Sequence, residues 1–333
     1  KIMITVNGMG EKFTDATEIS VRPTSTLQKV TGSGSITGGS TQKINIGLSD
    51  FMPGSTNYSL VVSRSPALEL GEQLRYLVQY PYGCTEQTVS AAFPQIYYSD
   101  LSDLMTQSNK DASKNNANTN ILEAIRKLKI RQLYNGAVTL WDGEGKEDWW
   151  TTIYSAHFLL EAKKAGFDVD NSLLNTMLTY INNKLQNKEA ITYYYNRDQN
   201  KKIAPKEVAY GLYVLALAGR TNVPAMNYYK ANPAILALDS RYLLAAAYAT
   251  AGDKKSFAAI LPGSFSGEQS VPQTGGSYYS DVRDEAIALN ALIDVDPGNA
   301  QIGTMVKHVA DKLKARKYLS TQERSFAFLA LVD

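Results

Sequence analysis

From Pro66 to the last residue the chain repeats one design, a helical segment rich in alanine and aromatic residues. The copies are "DWWTTIYSAHFLLEAKKAG", "KEVAYGLYVLALAG", "DSRYLLAAAYATAG", "DVRDEAIALNALID" and "STQERSFAFLALVD". Their starts recur roughly every 35 to 60 residues, an interval that suits helix pairs repeated about an axis. Several open on a capping residue, as at Asp239, at Asp281 or at Ser320 with Glu323 three positions on, and several close at Gly166, Gly219 or Gly252. Small residues along one stripe let neighbouring helices approach closely. The expected fold is therefore mainly α, an α/α toroid of alternating inner and outer helices, with an open helical solenoid as the structural alternative. "PALELGEQLRYLVQY" opens the region, with Leu70, Leu74 and Leu77 at helical spacing behind Pro66. Polar, Asn-rich "TQSNKDASKNNANTN" at 106–120 reads as an exposed connection.

The first 65 residues have a different texture. Ile2, Ile4 and Val6 alternate in "KIMITV", while "EISVRP", "QKINIG" and "YSLVVS" are short and β-prone. "TGSGSITGGS" and "FMPGST" punctuate them as turns. These strands are too few to close a sandwich. Residues 1–65 are thus expected to be an incomplete β-rich portion whose sheets are completed elsewhere, and 66–333 the helical domain. Because the chain opens at Lys1, with neither an initiator Met nor a signal peptide, it reads as a piece of a longer protein.

A formal charge of +2 supplies no basic face for nucleic acid. No apolar run reaches the roughly 18 residues of a bilayer span. One cysteine and two histidines do not make a zinc site, which removes the metal that protein prenyltransferases hold on the same toroidal fold. A toroidal glycosidase would need paired carboxylates. Asp142 with Glu144, and Asp284 with Glu285, read instead as solvated caps at loops and helix starts.

That leaves the single cysteine, in "PYGCTEQT" at 81–88. Cys84 reads in three ways. It can be a small buried hydrophobe near a helix start. It can be a nucleophile, which then needs a base from His157 or His308; His157 in "YSAHFLLEA" reads as a core residue and His308 in "MVKHVADKL" as part of a solvated face. Or it can react within the motif. Positions i and i+3 face each other on a helical turn, so the thiol can attack the Gln87 carboxamide and expel ammonia, forming an internal thioester. Such a carbonyl is far more reactive toward amines than the amide it replaces, and it survives only where water is excluded.

"YPYGCTEQTVSAAFPQIYYSDL" at 80–101 resembles the thioester segment of the alpha-2-macroglobulin family, to which the complement thioester components also belong. The family core reads Gly-Cys-Gly-Glu-Gln, and bacterial members vary the middle Gly, as Thr85 does here. The likeness extends to "EDWWTTIYSAHFLLEAKKAGFDV" and "STQERSFAFLAL" and covers roughly residues 60–333. The "EISVRP" to "FMPGS" stretch looks like the β-rich sequence preceding the thioester domain, which implies that residues 1–65 come from neighbouring sandwich domains.

By this resemblance Cys84 is the thioester thiol and Gln87 its acyl partner. Gly83 lends freedom for a tight turn. Glu86 occupies the family's invariant acidic position, and Pro81 and Tyr82 match the flank that shapes and covers the bond. Complement-type members place a His later in the domain. The corresponding "AITYYYNRDQNKK" at 190–202 has none, so amines are expected to react in preference to hydroxyls. Tyr193, Tyr194 and Tyr195, read as part of a loop, are candidate shields or simple packing residues. The resemblance implies a bacterial protease trap of the periplasm or cell envelope, with or without a lipid anchor at the parent's N-terminus. Its partners are attacking proteases, captured covalently through lysine amines, and the other domains of its own parent chain. It acts once per molecule, as an endopeptidase inhibitor and not an enzyme, and no cofactor or metal is implied. The alternative is a structural or adhesion module of the envelope with an inert or hydrolysed motif.

Overall fold

The computed structural model describes residues 1–20, 36, 39–45, 47–51, 54–58, 60, 62, 83–97, 110–196, 199–266, 279–316 and 318–332. The chain divides into two compact units, Lys1–Val61 and Val62–Asp333.

In the first unit, strands β1 (Ile2–Gly8) and β2 (Glu11–Thr17) pair antiparallel, with Ile2 opposite Thr17 and Gly8 opposite Glu11. The two turn residues between them, Met9 and Gly10, both have positive φ, 51° and 83°. Those angles match the right-handed twist of the flanking strands. Every residue of both strands is exposed, Ile2, Ile4, Val6 and Phe13 among them. A two-stranded ribbon with no covered face is marginal by itself. The strands expected at "EISVRP", "QKINIG" and "YSLVVS" do not form at the described residues of those stretches, which carry no ladder; their other residues lie outside the described set. β-propensity yields a strand only where a partner takes up the backbone N–H and C=O groups.

The second unit is an α/α toroid. Its α-helices run in chain order as α1 (Thr85–Ala92), α2 (Lys110–Arg131), α3 (Trp149–Lys164), α4 (Asn171–Leu185), α5 (Lys206–Leu217) and α6 (Val223–Ala231), followed by α7 (Leu238–Thr250), α8 (Lys254–Ile260), α9 (Arg283–Val295), α10 (Ile302–Ala315) and α11 (Thr321–Val332). The odd-numbered helices pack in sequence, α1 on α3, then α5, α7, α9 and α11, and α11 returns to pack on α1. The ring closes, which decides against the open solenoid.

Burial separates the two layers. Inner α5 buries an unbroken run from Val208 to Ala216, and inner α3 one from Trp150 to Leu159. Outer α10 buries only Met305, Val309 and Leu313, the single stripe of an amphipathic helix. Aromatic rings fill the hub: Phe93 meets Tyr154, His157 and Phe158, and Phe326 meets Tyr154 and Tyr210.

Gly166, Gly219 and Gly252 follow α3, α5 and α7 with φ of 91°, 69° and 85°, the left-handed ends their positions predicted. Ser320 and Glu323 form a capping box at α11: the Ser320 N–H donates to Glu323 Oε2 at 2.7 Å, and the Glu323 N–H to Ser320 Oγ at 3.1 Å. Two expected caps are displaced. Asp239 lies inside the first turn of α7, and Ser280, not Asp281, accepts the Arg283 N–H ahead of α9.

Residues 110–120 are not a connection but the first half of α2. Ala117 and Ile121 are buried there and Asn120 Nδ2 bonds Gln95 Oε1 at 3.0 Å, so tertiary packing overrides the weak helix propensity of asparagine. The helix expected over 66–80 lies outside the described residues. Among the described residues of this unit, sheet is confined to two small ribbons, β3 (Val138–Thr139) with β4 (Glu147–Asp148), and β5 (Ile191–Asn196) with β6 (Gln199–Ile203). Tyr193–Tyr195 therefore sit in a strand, not a loop, as a run of β-branched and aromatic residues favours.

Candidate functional site

Hydrogen bonds and ion pairs show that the inner helices present their N-termini at one rim. Lys206, the first residue of α5, bonds Asp239 in the first turn of α7 at 2.7 Å and Asp284 in the first turn of α9 at 2.9 Å. Arg283, wholly buried, bonds Asp284 and reaches Gln322 in the first turn of α11 at 3.2 Å; its guanidinium lies 4.8 Å from the Trp150 ring at the start of α3. Thr321 opens α11 and bonds Glu86 in the first turn of α1. Helix N-termini carry partial positive charge, and the first-turn carboxylates answer it. Burial would lower the Lys206 ammonium, but Asp239 and Asp284 outweigh it and hold the group above its ordinary range. The Asp284 carboxyl is held down against burial by Lys206 and Arg283.

The "GCTEQ" motif stands on this rim. Cys84 is the N-cap of α1, in extended conformation, and Gln87 is at the third helical position. The two residues form a capping box. The Cys84 N–H donates to Gln87 Oε1 at 3.1 Å, and the Gln87 N–H turns back to the Cys84 sulfur. Cysteine thus takes the place serine usually fills, and a thiol and a carboxamide are held within one turn.

Gly83 is required here for a reason the sequence did not suggest. Its φ is not in the left-handed region, but a Cβ on it would stand 2.6 Å from Gln87 Oε1 and 2.7 Å from Gln87 Cβ. Close approach, not turn freedom, demands glycine. Chemically the arrangement is suited to acyl transfer. A backbone N–H already polarises the carbonyl and faces the oxygen on which charge would develop, while the sulfur sits against the N–H groups of a helix start.

The half-buried Cys84 thiol is pushed up by burial and by the Glu86 carboxylate, and drawn down by the backbone N–H groups of Gln87 and Glu86 and by the Arg131 guanidinium. Burial raises the Glu86 carboxyl, against the pull of hydroxyls from Ser90 at 2.6 Å and Thr321. Thr85, between Cys84 and Glu86, is buried. Its N–H donates to the Leu140 carbonyl at 2.8 Å and its hydroxyl to the Thr139 carbonyl at 2.5 Å. Arg131 Nη1 donates to Thr85 Oγ1 at 3.2 Å, and Arg131 Nε to Asp142 at 2.5 Å.

Neither histidine serves the motif. His157 is buried in the hub, its Nδ1 3.0 Å from Tyr210 Oη and its ring 5.0 Å from Phe93, and burial lowers its pKa to about 4. Phe93 ends α1 whereas Cys84 begins it, about 13 Å away at helical rise. His308 is half exposed and its Nδ1 lies 3.0 Å from Glu285. Of the carboxylates weighed for glycosidase chemistry, Asp142 pairs with Arg131, Asp284 with Lys206 and Arg283, and Glu285 with Lys312 and His308, while Glu144 Oε2 is buried without a hydrogen-bond partner among the described residues. Asp284 and Glu285 are buried and are not the solvated caps expected. No group of three or more His, Cys, Asp or Glu suited to a metal occurs among the described residues, and none of their helices is long and apolar enough to cross a membrane. Pro81, Tyr82 and the side chains of Tyr193, Tyr194 and Tyr195 lie outside what the structure describes. Arg131 and Thr321 escaped the sequence reading, as did the anchoring role of Thr85, since contacts across 46 and 235 positions leave no local signal.

Residues 57–216 match the A-macroglobulin TED domain, and relatives and solved structures agree with that match. The chain carries this domain and is similar to bacterial alpha-2-macroglobulins. Alpha-2-macroglobulin of Escherichia coli (strain K12) is 28% identical over 342 residues, covering 99% of this chain and 20% of that protein. That of Xylella fastidiosa (strain Temecula1) is 28% identical over 281 residues, covering 82% and 17%. The chain therefore spans a fifth or less of these relatives. Among solved structures, trypsin-activated alpha-2-macroglobulin from Escherichia coli is similar with a TM-score of 0.62 and 26% identity, covering 76% of this chain and 17% of that one. Salmonella alpha-2-macroglobulin reacted with methylamine gives 0.67 and 25%, covering 80% and 17%.

Proposed function

We propose that this chain is the thioester-bearing part of a protease trap, in which Cys84 and Gln87 form an internal thioester that acylates lysine amines of an attacking protease. The capping box carries the reading. It holds the thiol, the carboxamide and an N–H donor to the carbonyl oxygen in one turn. In the forming step the Cys84 sulfur bonds to Gln87 Cδ, the C–N bond breaks, and ammonia departs with the thiol proton. In the capture step an amine nitrogen bonds to Cδ, the C–S bond breaks, and the thiol regains a proton. Each molecule reacts once, as an inhibitor and not a catalyst. With both histidines committed elsewhere, amines react in preference to hydroxyls.

Residues 1–65 belong, in this reading, to neighbouring sandwich domains, which accords with the uncovered β1–β2 ribbon. In the same reading Pro81 and Tyr82 belong to the motif's flank, Tyr193, Tyr194 and Tyr195 are the candidate shields, and the parent works in the periplasm or cell envelope. Two solved relatives accord with this: one is activated by trypsin and another has reacted with methylamine.

Intact mass is the test. A thioester lacks one ammonia relative to the encoded sequence, and methylamine should then add at Gln87 and release one thiol at Cys84. Cys84→Ala should abolish both signals. Full encoded mass in freshly purified protein would instead support an inert structural module. Labelling by glycerol equal to that by methylamine would overturn the amine preference.

A further inference from the structure

One buried cation ties the motif to helix α2. Arg131 ends outer helix α2 with its side chain only 7% exposed. Its guanidinium donates through Nη1 to Thr85 Oγ1, one residue from the sulfur, and through Nε to Asp142, whose side chain is 71% exposed. Thr85 is in turn held on the Thr139 and Leu140 carbonyls by its hydroxyl and N–H. The thiol consequently feels opposite charges, from the Glu86 carboxylate on its own helix and, more weakly, from the Arg131 guanidinium that is bonded to the neighbouring Thr85, with Asp142 on the β3–β4 connection partly neutralising the latter.

We propose that Arg131 is a positioning residue for acyl exchange at Cys84 and Gln87: it seats α1 through Thr85 and places a buried cation where the departing thiolate develops its charge. The inference rests on the thioester reading. A thiolate stabilised by a neighbouring cation is a better leaving group, so its expulsion from Cδ is faster when an amine attacks. Burial makes the effect larger than it would be in water, because the guanidinium is screened little by solvent. Arginine suits the task since it keeps its charge while its planar fork reaches hydroxyl and carboxylate together.

The test uses the full chain with Arg131→Gln, Arg131→Lys and, on the exposed side, Asp142→Asn. Each variant is weighed for the missing ammonia, timed for methylamine incorporation, then titrated for the pH midpoint of Cys84 carboxymethylation once the thiol is free. Arg131→Gln should raise that midpoint by about half to one unit and slow methylamine incorporation about three- to tenfold, while Arg131→Lys stays near the wild type on both. Asp142→Asn, which unmasks the cation without touching the core, should lower the midpoint. A role confined to seating α1 would move melting temperature but not the midpoint. If Arg131→Gln leaves midpoint and rate unchanged, or Asp142→Asn fails to lower the midpoint when Arg131→Gln does not fold, the proposal falls. Full encoded mass in the wild type would end the thioester reading, and the midpoints alone would then still decide whether Arg131 acts on the sulfur.

Discussion

Thr321 donates its hydroxyl to both carboxylate oxygens of Glu86, at 3.1 and 3.2 Å, across 235 positions of chain. Glu86 also accepts from Ser90, Ser90 meets Tyr154 at 3.3 Å, and Tyr154 meets Ser325 at 2.8 Å. Helices α1, α3 and α11 are thereby joined by one buried chain of hydroxyls, and the ring is latched beside the motif.

Thr321→Val should cost about 1 kcal/mol, a melting shift of about 2 °C in a unit of this size. Combining it with Ser90→Ala removes both hydroxyl donors from a buried carboxylate and should cost about 1 to 3 kcal/mol more. Calorimetry on the single and double variants checks this. A double variant no less stable than Thr321→Val would show that Glu86 is not held at the latch.

Gly83→Ala places a methyl 2.6 Å from Gln87 Oε1. The carboxamide must swing out of the capping box, so the ammonia-deficient mass should vanish while melting temperature falls by only about 2 °C, as for loss of a helix cap. A variant that forms the thioester as completely as the wild type would contradict the geometry.

His157 sets an acid limit on the ring. Burial lowers its folded pKa to about 4, below the roughly 6.5 of an unfolded histidine. Between those values the unfolded state binds the proton and the folded state does not, so stability rises with pH across the window. It is lost as pH falls from 6.5 toward 4, by about 3 kcal/mol in all. Urea unfolding at pH 7 and pH 4.5 measures the slope, and His157→Gln should flatten that portion of it. An unchanged slope in the variant would assign the acid sensitivity to other groups.

Lys206 holds Asp239 and Asp284 together inside the rim, its side chain 9% exposed and theirs 3% and 4%. Lys206→Met leaves two buried carboxylates facing each other without the ammonium and should cost about 3 to 5 kcal/mol. Adding Asp239→Asn should recover part of that loss. Denaturant titration of the single and double variants reads both, and a double variant weaker than the single would contradict the pairing.

Sequence periodicity carried the toroid well, because inner helices announce themselves: a run such as "VAYGLYVLA" is apolar on every side and can only be buried. Ring closure was not legible, since it rests on α11 meeting α1 and on a hydroxyl reaching Glu86. The Asn-rich stretch misled because its local propensity is poor, while the contacts that make it helical, Ala117, Asn120 and Ile121 against their neighbours, are tertiary. At the motif, the i, i+3 spacing of Cys84 and Gln87 allowed the pairing, and the resemblance of the surrounding segment singled it out from the other readings of the cysteine. The reason for Gly83 was not legible, because a close approach to Gln87 Oε1 looks in sequence the same as a flexible turn. Arg131 could not be read at all: its partner is 46 positions away and no periodicity connects them.

The latch between Glu86 and Thr321 also bears on the order of events during synthesis. A ribosome releases the motif long before it releases α11, the helix that completes the ring around α1. The nascent chain therefore carries "GCTEQ" on a short helix missing one of its inner neighbours, and non-local contacts of this kind form late. In the thioester reading, arming of the electrophile is tied in this way to the arrival of α11 on α1. In the same reading, a polypeptide clipped before residue 321 keeps an ordinary thiol and an ordinary amide, because the helix that latches Glu86 is missing.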